Sequence, residues 1–306
     1  MSKILYAHIA IFLVNALYGI NHVIAKGVMP EYLKPNVFIL LRAAGATFLF
    51  WLIKLLFVRE KVKRKDMLLL AACGMFGVTV NQLFFFNGLS LTSSINSGII
   101  MTINPILVVI LSFFLLNERI TWRKSIGIAI GATGAILLTL AAGTGSGDSF
   151  LGDFYIFVNA MSYGLYLVLV KPLMKKYKPL TVITYVFSFG LLFVMMYPPT
   201  LNEFFQTDFS RIPMEAIYKI LFVVVFVTFL TYLLTVFGLK HLSPSVSSAY
   251  IYLQPALVVF FAFTLGALGI ADDYTDTITI EKGIYMLIIF IGVYLSSSSS
   301  FLRKTR

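Results

Sequence analysis

Apolar residues run through this chain in long blocks, and polar residues collect between them. Crossing a bilayer takes about 20 predominantly apolar residues. Ten runs reach that length, roughly 5–26, 35–57, 67–88, 95–116, 122–142, 151–171, 180–198, 216–238, 244–268 and 283–301. Ten such runs in series leave no soluble face to cover one another. The pattern predicts an all-α integral membrane protein: ten transmembrane helices joined by mostly short loops.

Composition agrees. The 306 residues are 59% hydrophobic and 12% charged, against about 25% charged in an ordinary soluble domain. A net charge of +11 would suit a nucleic-acid partner if it formed a surface patch. Here the basic residues sit mostly in loops between apolar runs, where they report orientation instead, and no nucleic acid is expected. With both termini cytoplasmic, 18 of the 24 basic residues face inward and ten of the 13 acids face outward. Lys26, Lys34, Arg42, Arg211, Lys219 and Lys282 are the outer exceptions. The first run is too long for a signal-peptide core. The single cysteine, Cys73, lies inside an apolar run, excludes an intramolecular disulfide and reads as a small buried hydrophobe.

The chain also repeats itself. Aligned without a gap, 87–117 and 237–267 agree at ten of 31 positions, including Pro105 with Pro255 and Leu107-Val108-Val109 with Leu257-Val258-Val259. "VNALYG" (14–19) returns as "VNAMSYG" (158–164), and Thr121…Gly134 as Thr279…Gly292. The repeat unit is five spans. An odd number makes the second copy enter the membrane upside down, the arrangement of secondary transporters that alternate access around a midplane site. The expected units are a first repeat over 1–142, an extracytoplasmic linker over 143–150 and a second repeat over 151–306.

These motifs carry a resemblance. "VNALYG" with Lys26, "LLRAAGATFLF" (40–50), "SSINSGIIMTINPILVVILSFFLLNERIT" (93–121) and Gly127, Gly131 and Gly134, with their second-half counterparts, resemble the drug/metabolite transporter superfamily and its proteins with two EamA domains. The resemblance covers nearly the whole chain. It implies ten helices around a central cavity and the movement of small metabolites across a bacterial inner (plasma) membrane. It implies no particular substrate.

Several polar groups inside the spans are candidates for substrate contact. Asn104 and Gln254 precede the two prolines, at matched depth; each shares a helical face with a serine, Ser97 or Ser247, and Tyr250 stacks near Gln254. They read as a ligand shelf or as interhelical glue. Asn15, Tyr18 and His22 share one face of the first run, and Asn159 and Tyr163 sit in the sixth. His22, with an ordinary pKa near 6.5, is either a proton carrier or an interfacial histidine. Arg42 lies about 10 Å deep at ~1.5 Å per residue; it binds a substrate carboxylate, pairs with Glu31, or snorkels outward. Asn81 and Gln82 complete the set, as cavity lining or as interhelical bonds. Pro105 and Pro255 each remove a helical hydrogen bond, which makes a gating hinge or a static kink. Glu118 ends the fourth run and has no acidic echo; a structural pairing with Arg119, Arg123 or Lys124 is expected.

"GTGSGDS" (143–149) lacks the Gly-Lys-Ser/Thr of a phosphate loop, and no His/Cys cluster has metal spacing, so no cofactor or metal is expected. The resulting expectation is a secondary active or facilitative carrier, an exporter of small metabolites such as amino acids, working as a monomer or homodimer in the bilayer. The rival is an intramembrane enzyme or flippase acting on lipid-linked or sugar substrates. It calls for acids or a nucleophile–base pair at the midplane, and no acid lies in the middle of a span.

Overall fold

The structure, a computed structural model, describes residues 3–25, 32–92, 97, 100–141, 149–267 and 280–298. Among these there is helix and turn but no strand. The elements are α1 (Lys3–Ala25), α2 (Pro35–Phe57), α3 (Arg64–Leu89), α4 (Ile103–Leu116), α5 (Trp122–Leu140), α6 (Phe150–Lys176), α7 (Pro179–Met196), a short α8 (Pro198–Gln206), α9 (Met214–His241), α10 and α11 (Ile280–Ser298). α10 opens as Pro244–Ala249, tightens to the 3₁₀ segment Tyr250–Leu253 and resumes as Gln254–Ala267. Each of the ten apolar runs therefore carries helix; α8 is an addition, in a stretch the hydropathy pattern leaves as loop. Six helices, α1, α2, α3, α6, α7 and α9, are long and apolar enough to cross a membrane by length and composition. Large apolar side chains face outward without cover, among them Phe48, Leu55, Phe114, Leu287 and Tyr294. In water such patches drive association; lipid solvates them.

The starts and stops follow local chemistry. Prolines at the first positions of α2, α7, α8 and α10 lack only an N–H that no helix would have used. Ser149 and Ser243 accept from Gly152 and Val246 and cap α6 and α10. Asn117 takes the left-handed conformation (φ 51°) after α4, and the Glu118 amide turns back to donate to the Ser112 carbonyl at 3.0 Å.

Packing repeats across the two halves. Gly88 of α3 abuts Ile156 and the Gly152 carbonyl of α6, and Gly238 of α9 abuts Ile11 and the Ala7 carbonyl of α1. Gly164 of α6 faces Val108 and Leu107 of α4, while Gly19 of α1 faces Leu257 of α10. α3 and α9 both loosen into π-helix, over Met75–Val80 and Val223–Leu230, and in each a threonine (Thr79, Thr228) hydrogen-bonds the carbonyl five residues back. Thr102 and Tyr252, matched positions 150 residues apart, meet directly: the Tyr252 hydroxyl donates to the Thr102 carbonyl at 3.1 Å. Both lie just before the proline of their segment, where the helix changes geometry. Gly127, Gly131 and Gly134 of α5 seat against Gly292, Ile289 and the Ser296 amide of α11, the small-residue packing by which membrane helices approach closely.

Candidate functional site

α1, α6, α9 and α10 converge on a small central cavity of about 20 Å³, room for roughly one water. α1 contributes Ile11, Val14, Asn15 and Tyr18; α6, Tyr163 and Leu167; α9, Thr235; α10, Ser247, Ile251 and Gln254. Gln254 Nε2 donates to Asn15 Oδ1 at 3.0 Å, and Asn15 Nδ2 donates back to the Ile11 carbonyl at 2.8 Å. Asn15, Tyr18, Tyr163 and Gln254, chosen from sequence, are thus brought together. Thr235 was not anticipated. Its signal was present, since Thr228, Thr231 and Thr235 form a hydroxyl stripe at helical spacing along α9.

At the matching place in the other half the polar side chains are bonded to backbone. Asn104 is fully buried and donates to the Ala160 carbonyl of α6 at 2.5 Å. Asn159 donates to the Asn81 carbonyl of α3 at 2.7 Å, and Ser162 to that of Phe76 at 2.6 Å. The Oδ1 atoms of Asn104 and Asn159 are left buried without a hydrogen bond. Groups that face a cavity in one half are therefore pressed onto backbone in the other.

The remaining candidates lie apart from the cavity. The Tyr250 hydroxyl is 2.8 Å from His8 Nδ1, which ties α10 to α1. Ser97 is buried and does not line the cavity. His22 is helical, but its side chain lies outside the described residues, as do Glu31 and Lys26. Pro105 and Pro255 sit in the first turns of Ile103–Leu116 and Gln254–Ala267, just after a change of helical geometry at Thr102 and at Tyr250–Leu253.

Arg42 does not snorkel: it is 5% exposed. Its Nε donates to Thr228 Oγ1 at 3.0 Å, and its guanidinium carbon lies 5.5 Å from the Phe38 ring centre and 5.1 Å from that of Phe86. Tyr18 and Tyr232 are close enough to interact with its charge. A central arginine costs about 2.5–3.5 kcal/mol to insert. One hydroxyl and two ring faces, at about 0.5–2 kcal/mol per ring, offset part of that.

A larger and more open cleft, about 360 Å³, is bounded by Lys34, Glu203 of α8, Asp208 and Arg211 at the acidic end of the bundle. Asn36 Nδ2 bonds Glu203 there at 3.1 Å, and Asn87 Nδ2 bonds Asn36. The apolar side chains of Phe38 and Phe86, in edge-to-face contact, lie between this level and Arg42. The cleft is the roomier space, but the inward-turned polar groups of the spans converge on the small cavity.

The basic end is clamped. Glu118 pairs with Lys124 of α5 through Oε1 and accepts from Ser245 of α10 through Oε2 at 3.0 Å. Lys171 of α6 donates to the carbonyls of Leu239 and Leu242. Asp66 accepts from Lys176 at 2.6 Å and from Tyr177 at 2.7 Å. Of the bases expected beside Glu118, Lys124 is the one that pairs. Glu118→Gln keeps an acceptor for Ser245 but leaves the buried Lys124 ammonium without its counter-charge, so it is expected to cost about 3 kcal/mol, read as a drop in the detergent melting midpoint. An unchanged midpoint removes the clamp from the account.

Comparison with known proteins follows the same lines. A family model described as the EamA-like transporter family matches residues 5–140 and again 150–298. An uncharacterized transporter of Archaeoglobus fulgidus is 28% identical over 86% of this chain and 90% of its own length. The uncharacterized transporter YyaM of Bacillus subtilis is 28% identical over 73% of each chain. A Streptantibioticus cattleyicolor protein named a probable terminal-alkyne amino-acid exporter is 26% identical over 69% of this chain and 73% of its own. One solved crystal structure covers 99% of both chains with a TM-score of 0.72 at 17% identity, a likeness of fold alone.

Proposed function

From the premise that this chain belongs to the EamA-like transporter family, and is a multi-pass membrane protein, we propose that it carries small metabolites such as amino acids out of the cell by alternating access. Ten helices cross the inner membrane as two inverted five-helix repeats, with both termini in the cytoplasm. The observation that carries this reading is the unequal state of two matched sites. On one side Asn15 and Gln254 hold a cavity between α1 and α10. On the other, Asn104 and Asn159 are bonded to the backbones of α6 and α3. Exchanging the two conformations between the halves opens the second site and closes the first, which moves access to the binding groups from one face of the membrane to the other.

The ion pairs and hydrogen bonds at the basic end (Glu118 with Lys124, Asp66 with Lys176) and the Phe38–Phe86 contact at the acidic end are the groups that would part as access alternates. The named function of the S. cattleyicolor relative supports amino acids as the substrate class. Counterflow in liposomes tests the reading. Purified protein preloaded with unlabelled amino acids is expected to accumulate the labelled tracer, and protein-free liposomes are not. Absence of exchange across amino acids, sugars, nucleosides and polyamines overturns it. Orientation has its own measurement. A tag at either terminus is expected to stay inaccessible to antibody on intact cells and become accessible on permeabilisation; labelling of intact cells reverses the topology.

A further inference from the structure

Arg42 marks a place where the chain departs from its own repeat. Gly45 of α2 receives Val224 of one π segment, and Gly190 of α7 receives Val78 of the other. Aligned on these glycines, Arg42 corresponds to Phe187, a fully buried apolar residue. The scaffold position works without a charge in one copy, so the charge in the other answers a different requirement.

The guanidinium has five N–H groups. One donates to Thr228, and among the described residues the others meet neither a carboxylate nor any other hydrogen-bond acceptor. Gln82, one turn along α3 from the Phe86 ring that touches Arg42, is 3% exposed, and apart from the Tyr232 hydroxyl beside it its amide meets no hydrogen-bond partner. Tyr232 stands near both side chains, but its hydroxyl is committed to the Gly77 carbonyl at 2.8 Å. A buried cation and a buried amide with unfilled hydrogen-bonding capacity thus share one spot. Tyr18 links that spot to the central cavity, since it lines the cavity and lies within range of the Arg42 charge.

Resting on the transport reading above, we propose that Arg42 and Gln82 form an anion subsite for the transported molecule, and that the group bound is a carboxylate. The planar fork of arginine matches two carboxylate oxygens bidentately. Gln82 supplies a further N–H. Charge balance selects a monoanion: no second cation joins the cluster among the described residues, so a phosphate monoester would leave a negative charge buried. The carboxylate binds beside Tyr18, and the rest of the molecule reaches toward Asn15, Tyr163 and Gln254 once the cavity there, about 20 Å³ in the described conformation, widens.

The test is competition in the liposome counterflow assay. α-Amino acids compete against their own carboxamides, against sugar phosphates and against polyamines. The acid is expected to compete at least about tenfold better than its carboxamide, the equivalent of about 1.4 kcal/mol. Arg42→Gln is expected to erase that preference and Arg42→Lys to keep part of it, as a charge without the fork. Gln82→Leu, which leaves the charge in place, is expected to weaken the acid several-fold. Equal competition by acid and carboxamide in the unaltered protein overturns the subsite, and that comparison does not depend on any variant folding. Preference for a sugar phosphate overturns the choice of carboxylate. Exchange of sugars or polyamines but of no carboxylate overturns the subsite and leaves transport standing. No exchange of any compound overturns both.

Discussion

Gly292→Ala is expected to cost this protein its stable fold in detergent, while Gly283→Ala in the same helix is expected to leave it unchanged. The contrast isolates one contact. A Cβ at Gly292 would stand 2.5 Å from the Gly131 Cα and 2.8 Å from the Gly127 carbonyl oxygen, both backbone atoms of α5. A Cβ at Gly283 would meet nothing within 4 Å. Backbone cannot rotate away as a flexible side chain can, so α5 and α11 would have to separate. With them would go the packing of Ala135, Leu138, Ile289 and Val293, all buried in that seam. Overpacking costs about 1–3 kcal/mol where neighbours yield and more where they do not, so the upper end applies here. At roughly 2–4 °C per kcal/mol for a chain of moderate size, a fall in melting midpoint of about 10 °C and loss of monodisperse protein are expected. Alanine is the better helix former, so Gly283→Ala carries no intrinsic penalty. Two variants that melt together would mean that α5 and α11 do not meet through these glycines.

The elements were legible because bilayer-length apolar runs are written directly into composition, and each of the ten carries helix. The glycines of α5 and the paired prolines stood out in the sequence as repeated positions, while the backbone contact that the glycines make with α11 is a finding of the structure. Three features were not. The π segments in α3 and α9 look like ordinary apolar helix, because the extra residue per turn is decided by packing and by threonines that bond five residues back. The short α8 was hidden in a loop rich in proline and polar residues. Most of all, helical spacing put Ser97, Met101 and Asn104 on one face and Ser247, Ile251 and Gln254 on another, and treated the two as equals. The second trio lines the cavity, whereas the first does not, and Asn104 of that trio bonds the α6 backbone. A sequence repeat fixes which positions correspond, but the conformation breaks the symmetry, and periodicity carries no information about which copy is open. Tyr250 illustrates the same limit. Its place near Gln254 in sequence says nothing of His8, 242 residues away, which takes its hydroxyl.

Gln254→Leu is expected to abolish exchange, by tenfold or more, in a protein that inserts and melts normally. The two halves of that expectation rest on different magnitudes. As a structural bond, Gln254 to Asn15 is one interhelical hydrogen bond, and such bonds in membranes average about 0.6 kcal/mol. Leucine has nearly the same volume, so no cavity or clash is added and the midpoint should move by no more than about 2 °C. As a binding group, Gln254 is one of six polar side chains lining a space of about 20 Å³, and a leucine there makes no hydrogen bond to substrate. A substrate polar group would then have to enter with an acceptor unmatched, at a cost of about 1–3 kcal/mol. Asn104→Leu is the deciding partner. Its tie to the Ala160 carbonyl is again a single bond, and that carbonyl lies within α6, where a helical N–H can satisfy it. If access alternates by exchange of shape between the halves, Asn104 becomes the cavity residue in the other state, and its loss must reduce exchange as Gln254→Leu does. Normal exchange in both variants would mean the binding groups lie elsewhere. Loss in Gln254→Leu with normal exchange in Asn104→Leu would keep the site and reject the symmetric exchange, because one half would then hold the substrate while the other only holds the fold.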